Sequence, residues 1–194
     1  MEYTKRALLV IDVQNDFCEH GAIPSLLGSQ LASLISVFAQ TNYDKYELLL
    51  ASKDSHKSPK GHFSSSPDFL YSWPKHCLES SEGEKFHPNL NSSLFDHVIT
   101  KGVDSAGMSA FDGTTQLGES LLELLERREI EVIDICGLNG EANLYNTAID
   151  ALEFGFPTTI FIDLSSGSSH AKVLEAFEDL QSRGANLTYA ISEN

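Results

Sequence analysis

The chain has 194 residues, 41% of them hydrophobic, and a formal net charge of −15. That suits a single domain over residues 1–194 with a sizeable buried core. It argues against nucleic acid and anionic membrane as partners, since both require basic patches and the 13 Lys and Arg residues are scattered along the chain.

Residues 6–12 form a continuous apolar run, as expected of a strand buried on both faces of a parallel sheet. Similar runs follow at 47–52, 97–101, 131–137, 157–163 and, more weakly, 186–191. Helical spacing separates them. Residues 30–39 carry Leu31, Leu34, Ile35 and Phe38, and 116–128 carry Leu117, Leu121, Leu124 and Leu125. Residues 141–154 carry Leu144, Ala148, Ala151 and Leu152, and 171–183 carry Val173, Leu174, Phe177 and Leu180. This alternation predicts an α/β fold whose parallel sheet is covered by helices on both faces. Residues 53–93 have little periodicity and many Ser, Pro, His and Gly. A long irregular segment inside a compact domain points to function.

No stretch reaches the roughly 18 apolar residues that span a bilayer. The N-terminal run is too short and too poorly flanked for a signal peptide. Cys18, Cys77 and Cys136 are an odd number without paired spacing, and read as reduced thiols. A cytoplasmic location is expected.

In an open parallel sheet, ligands bind beyond the carboxyl ends of the strands. Asp12, Asp54, Lys101 and the segment from Asn139 to Asn143 all fall at such ends. Asp54 and His56 are two apart, so an extended segment puts them on one side. His62 can return after a turn through Pro59 and Gly61, and His76 follows. One carboxylate with two or three imidazoles suits a divalent transition metal such as Zn, Fe or Mn. The alternative is a set of solvated loop histidines. Asp12 and Lys101 form either a general base with its charged partner or a structural ion pair. Phe17 and Trp73 would sandwich a flat ring or simply pack under the loop. His20, His87, His97 and His170 show no grouping.

Taken in order, these segments resemble the nicotinamidase/pyrazinamidase family of the isochorismatase-like hydrolases. The resemblance rests on Ala7–Cys18 (ALLVIDVQNDFC), Lys53-Asp54-Ser55-His56, His62-Phe63 and Ser72-Trp73-Pro74-Lys75-His76-Cys77. Phe86-His87-Pro88, Lys101-Gly102, Thr147–Ala151 (TAIDA) and Ile162-Asp163-Leu164 complete it. It implies a three-layer, six-stranded parallel sheet of Rossmann type and a role in pyridine nucleotide salvage. The ligand would be a heterocyclic carboxamide such as nicotinamide, and a homo-oligomer is compatible with the family. By resemblance, Asp54, His56, His62 and His76 are the metal ligands, Asp12 the base, and Lys101 its partner. Phe17 and Trp73 hold the pyridine ring. Backbone N–H groups at Asn139 and Asn143 form the oxyanion hole, often beside a cis peptide before position 139.

The departure is local. Active relatives commonly read Gly-(Leu/Ile)-Ala-Thr-Asp-x-Cys where this chain has Gly137-Leu138-Asn139-Gly140-Glu141-Ala142-Asn143. Asn143 therefore occupies the nucleophile position, and an amide neither ionises usefully nor forms an acyl-enzyme. No remaining cysteine replaces it, and Met108 stands where an aromatic pocket residue is usual. Two readings follow. One is a metal-dependent hydrolase scaffold with weak or no cysteine-type amidase activity. The other is a non-catalytic, metal-containing pseudoenzyme that binds a nicotinamide-like ligand or a partner protein.

Overall fold

The computed structural model describes residues 4–191. Six parallel strands form one sheet in the order β3-β2-β1-β4-β5-β6. They are β1 (Arg6–Ile11), β2 (Leu48–Asp54), β3 (His97–Lys101), β4 (Val132–Gly137), β5 (Thr158–Ser165) and β6 (Asn186–Thr188). Four helices cover it: α1 (Gly28–Thr41), α2 (Leu121–Arg127), α3 (Tyr145–Glu153) and α4 (His170–Ser182). Because side chains alternate across a strand, Ala7, Leu9 and Ile11 of β1 pack in the cluster under α2, α3 and α4. Leu8 and Val10 join the opposite cluster under α1, which also takes in Phe17, Trp73 and Cys77. The sheet is thus the middle of three layers. Among the described residues, no helix is long and apolar enough to cross a membrane.

The strand order reverses between β1 and β4, and a crevice opens at the carboxyl ends on such a reversal. Two details there set the site. Strand β2 runs two residues further than its apolar run, because Lys53 and Asp54 pair in register with Thr100 and Lys101 of β3. Gly137 closes β4 at φ 137°, with the Ile11 carbonyl 2.2 Å from where a Cβ would sit. Only glycine lets β1 and β4 approach this closely.

Two expectations fail at the helices. Leu117 is 93% exposed and lies in a loop, since α2 starts only after Ser120. There Ser120 and Glu123 form a reciprocal capping box that defines the first turn. Leu174 is half-exposed beside its buried neighbour Val173, so it lies off the core stripe of α4.

The long irregular segment is stitched to the chain after β1. Asn15 N–H donates to the Lys85 carbonyl and His87 N–H to the Val13 carbonyl, both at 2.9 Å. The Asp16 carboxylate accepts Cys77 N–H at 2.7 Å.

Gly137→Ala should destabilise the fold by on the order of 3 kcal/mol, combining backbone strain with overpacking. Urea unfolding measures it, and an unchanged midpoint would show that the β1–β4 approach is not tight.

Candidate active and metal site

Beyond the sheet edge, Lys101 Nζ sits between two carboxylates, 2.6 Å from Asp54 Oδ1 and 2.8 Å from Asp12 Oδ2. All three side chains are almost fully buried. Asp12 follows β1 in a left-handed conformation, φ 50°, and its Oδ1 accepts the Ser52 hydroxyl at 2.6 Å. Asn143 closes the group from the other side of the crevice. Its Nδ2 donates to Asp12 Oδ2 at 2.6 Å and to Asp54 Oδ2 at 3.0 Å. With carboxylate oxygens on both sides, the amide nitrogen must face them, since the opposite flip would set oxygen against oxygen.

Burial alone would lower the Lys101 pKa, but Asp12 and Asp54 outweigh it and raise the ammonium above its ordinary value. Asp54 moves the other way from most ion-paired carboxylates. Desolvation pushes it up to about 7, assisted by Asp12 and opposed by Lys101 and Asn143.

On the loop side, His56, His62 and His76 present ring nitrogens that lie within 4.8 Å of one another. Asp54 Oδ2 is 3.8 Å from His56 Nε2 and 3.9 Å from His76 Nε2. His56 Nδ1 lies 2.6 Å from the Gly102 carbonyl and His76 Nδ1 lies 2.8 Å from that of Pro74. A carbonyl only accepts, so each Nδ1 carries the proton and each Nε2 offers a lone pair. Gly102 is required for this contact. It has φ 75°, and a Cβ there would meet His56 Cε1 at 2.6 Å. His56 Nε2 and both nitrogens of His62 are buried with no hydrogen-bond partner. Orphaned imidazole nitrogens beside a carboxylate suit a divalent cation. Desolvation lowers the three histidine pKa values, to about 4 for His62 and about 3 for His76. All three are neutral at pH 7, the form that binds metal.

Phe17 and Trp73 flank this cluster. Phe17 stacks at a tilt on His76, with centroids 5.5 Å apart, and Trp73 on His62 at 5.1 Å.

The isochorismatase domain family matches residues 6–192 of the chain. The nicotinamidase/pyrazinamidase of Mycobacterium tuberculosis is 36% identical over 182 residues, covering 94% of this chain and 97% of that protein. The chain belongs to the nicotinamidase family of the isochorismatase-like hydrolases. Solved structures agree. The pyrazinamidase of Pyrococcus horikoshii in complex with zinc superposes with a TM-score of 0.79 at 28% identity, covering 95% of this chain and 99% of that one. PnC1 from L. infantum in complex with nicotinate gives 0.80 at 27% identity, covering 98% and 95%.

Within this nicotinamidase fold, Asp12, Asp54, Lys101 and Asn143 meet as the strand ends predict, and His56, His62 and His76 meet beside them. Two family expectations do not appear. There is no cis peptide among the described residues. The Asn139 N–H, expected in an oxyanion hole, instead donates to Ser25 Oγ at 3.1 Å. The turn from Gly140 to Leu144 is a π-helical segment, a geometry frequent at functional sites. Met108 is half-buried and packs against the cluster holding Phe17 and Trp73. The thiols are poorly placed for chemistry. All three are buried, and desolvation raises each, Cys18 to about 12.

Ser25, Ser52 and Gln14 escaped the sequence reading. The Gln14 amide brackets Asp54, accepting its N–H and donating to its carbonyl, both at 2.8 Å. The position of Gln14 two residues beyond Asp12 was a usable signal, whereas nothing in the sequence marks Ser25.

The depressed histidines and the raised Asp54 pull in opposite directions. Histidines lowered in the fold lose stability as pH falls below the unfolded value near 6.5. The raised Asp54 gains stability as pH falls from about 7. Three imidazoles outnumber one carboxyl, so the metal-free protein should lose stability between pH 6.5 and pH 4. Denaturant melts at several pH values test the sign, and a rise in stability on acidification would contradict it.

Proposed function

We propose that the chain is a metal-binding nicotinamidase-fold protein that takes a small heterocyclic carboxamide such as nicotinamide and has little or no cysteine-type amidase activity. The observation that carries this reading is Asn143, at the expected nucleophile position, donating its amide hydrogens to Asp12 and Asp54. A nucleophile there would need a lone pair facing substrate and a proton to pass to Asp12. Asn143 supplies a donor and no ionisable group. Asp12 accepts from Ser52, Lys101 and Asn143 together, which fixes its orientation at the crevice.

The carboxamide class rests on the family and on Phe17 and Trp73, flat rings that stand against His76 and His62 of the metal cluster. Relatives of this chain are nicotinamidases, and one solved relative holds nicotinate. For the metal, His56, His62, His76 and Asp54 would supply the ligands. The unpartnered nitrogens described above support them, as does the zinc in the P. horikoshii relative. A divalent ion such as Zn, Fe or Mn, when bound, supplies a Lewis-acidic point that holds a ring nitrogen or a water. The Gly102 and Pro74 carbonyls orient the His56 and His76 rings, and the single Lys101 ammonium offsets part of the charge of the two carboxylates.

Metal content after dialysis against trace zinc should be about one ion per wild-type chain and far less in His62→Ala. Equal retention by both proteins would remove His62 from the site. The functional test is ammonia release from nicotinamide by metal-loaded protein, with host enzyme excluded. Wild type should be silent. Asn143→Cys should exceed it by at least about 10²-fold, the scale of one general-base contribution. Wild-type turnover near roughly 1 s⁻¹ or above, an ordinary enzymatic rate, would overturn the reading and favour direct attack by water.

A further inference from the structure

Each histidine of the cluster has a lysine one or two positions away: Lys57 beside His56, Lys60 near His62, Lys75 beside His76. The histidines turn inward and are buried, while the three lysines are exposed. They line one cleft of about 300 Å³ together with Pro59, Phe63 and Leu78. No carboxylate lines this cleft.

Acidic residues outnumber basic ones by 28 to 13, so a surface cation ordinarily finds a carboxylate. Seven of the 12 cations other than the buried Lys101 do so among the described residues. Three of the other five meet in this cleft, with no ion-pair partner. Three lysines lining one cleft with no carboxylate among its walls give it a local positive potential that favours an external anion. At physiological salt the Debye length is about 8 Å, so the distant acidic surplus is largely screened and the local lysines dominate.

The remaining wall is Ser58 and the apolar Pro59, Phe63 and Leu78. Phe63 also touches the metal pocket, its centroid 5.3 Å from His56, 5.3 Å from His62 and 5.4 Å from His76. One ring therefore borders both the cleft and all three imidazoles.

We propose that this cleft binds a small phosphorylated molecule, its phosphate held by Lys57, Lys60 and Lys75 and a flat or apolar portion laid on Phe63, Pro59 and Leu78. Lysine acts as a point charge for phosphate and needs no fixed fork geometry, which suits three flexible side chains around an open cleft. The volume lies at the small end of ligand pockets and suits a molecule of mononucleotide size. This site is separate from the carboxamide reading and does not depend on it.

Isothermal titration of the intact chain with adenosine monophosphate, adenosine and inorganic pyrophosphate tests the proposal, alongside the combined variant Lys57→Gln, Lys60→Gln, Lys75→Gln. The variant changes exposed side chains only, and circular dichroism checks its fold. Adenosine monophosphate should bind the wild type most tightly, and the variant at least about tenfold more weakly, the loss expected for one charge-assisted contact. Absence of binding at millimolar concentration, equal binding by the variant, or equal binding of adenosine would overturn the proposal. Pyrophosphate binding as tightly as the nucleotide would overturn the role given to Phe63. Binding only to phosphatidylserine vesicles would replace the small ligand with a lipid surface and overturn it too.

Discussion

The ammonium of Lys101, removed from water at the carboxyl edge of the sheet, is the constraint around which the site is built. Burying such a charge costs several kcal/mol unless opposite charge and hydrogen bonds surround it. Here two carboxylates from two further strand ends do so. The β2–β3 register sets Asp54 beside Lys101, and the left-handed backbone at Asp12 sets the second carboxylate on the same Nζ. The crevice at the strand-order reversal is therefore lined by charges that hold one another, with Ser52 and Gln14 as their fixed supports.

That arrangement sets two carboxyls, Asp54 with its pKa pushed up to about 7, against one ammonium, which bears on what a fourth side chain can be. A thiolate beside Asp12 and Asp54 would add further negative charge, tolerable with a cation alongside or a proton retained. Asn143 avoids this, offering donor hydrogens to both carboxylates at no charge. It also lowers the Asp54 pKa, opposing the desolvation that raises it. At this position Asn143 therefore ties the two carboxylates of the resting site together.

The chemistry-bearing residues were legible because strand ends are legible. Apolar runs end where Asp12 and Lys101 stand, and parallel topology then places those ends on one edge. The histidines were visible through composition and order, since an irregular segment holding His56, His62 and His76 has few structural reasons to keep them. What escaped depends on contacts between segments remote in sequence. Ser25 lies 114 residues from Asn139, and no local pattern ties its hydroxyl to that N–H. Helical spacing misplaced Leu117, because periodicity extends through a loop as readily as through a helix. The Ser120–Glu123 capping pair, which is local, would have corrected it. Leu174 failed for a related reason: four positions at helical spacing span more of the surface than α4 buries.

The turn before α3 is held by partners on both sides of it. Glu141 accepts the N–H and hydroxyl of Ser168, and its carboxylate fills the space where any Cβ on residue 167 would sit. Gly140 N–H is held by the Ser166 carbonyl at 2.9 Å, and a Cβ at 140 would press on that oxygen at 3.1 Å. Asn139 takes the left-handed conformation that asparagine tolerates, with its N–H satisfied by Ser25. Residues 139, 140 and 141 thus each have a partner outside the turn, in Ser25, Ser166 and Ser168. These neighbours lock the turn to the β5–α4 loop and to the segment before α1. A cysteine placed at 143 would stand beside Asp12, while the Asn139 N–H stays committed to Ser25 Oγ.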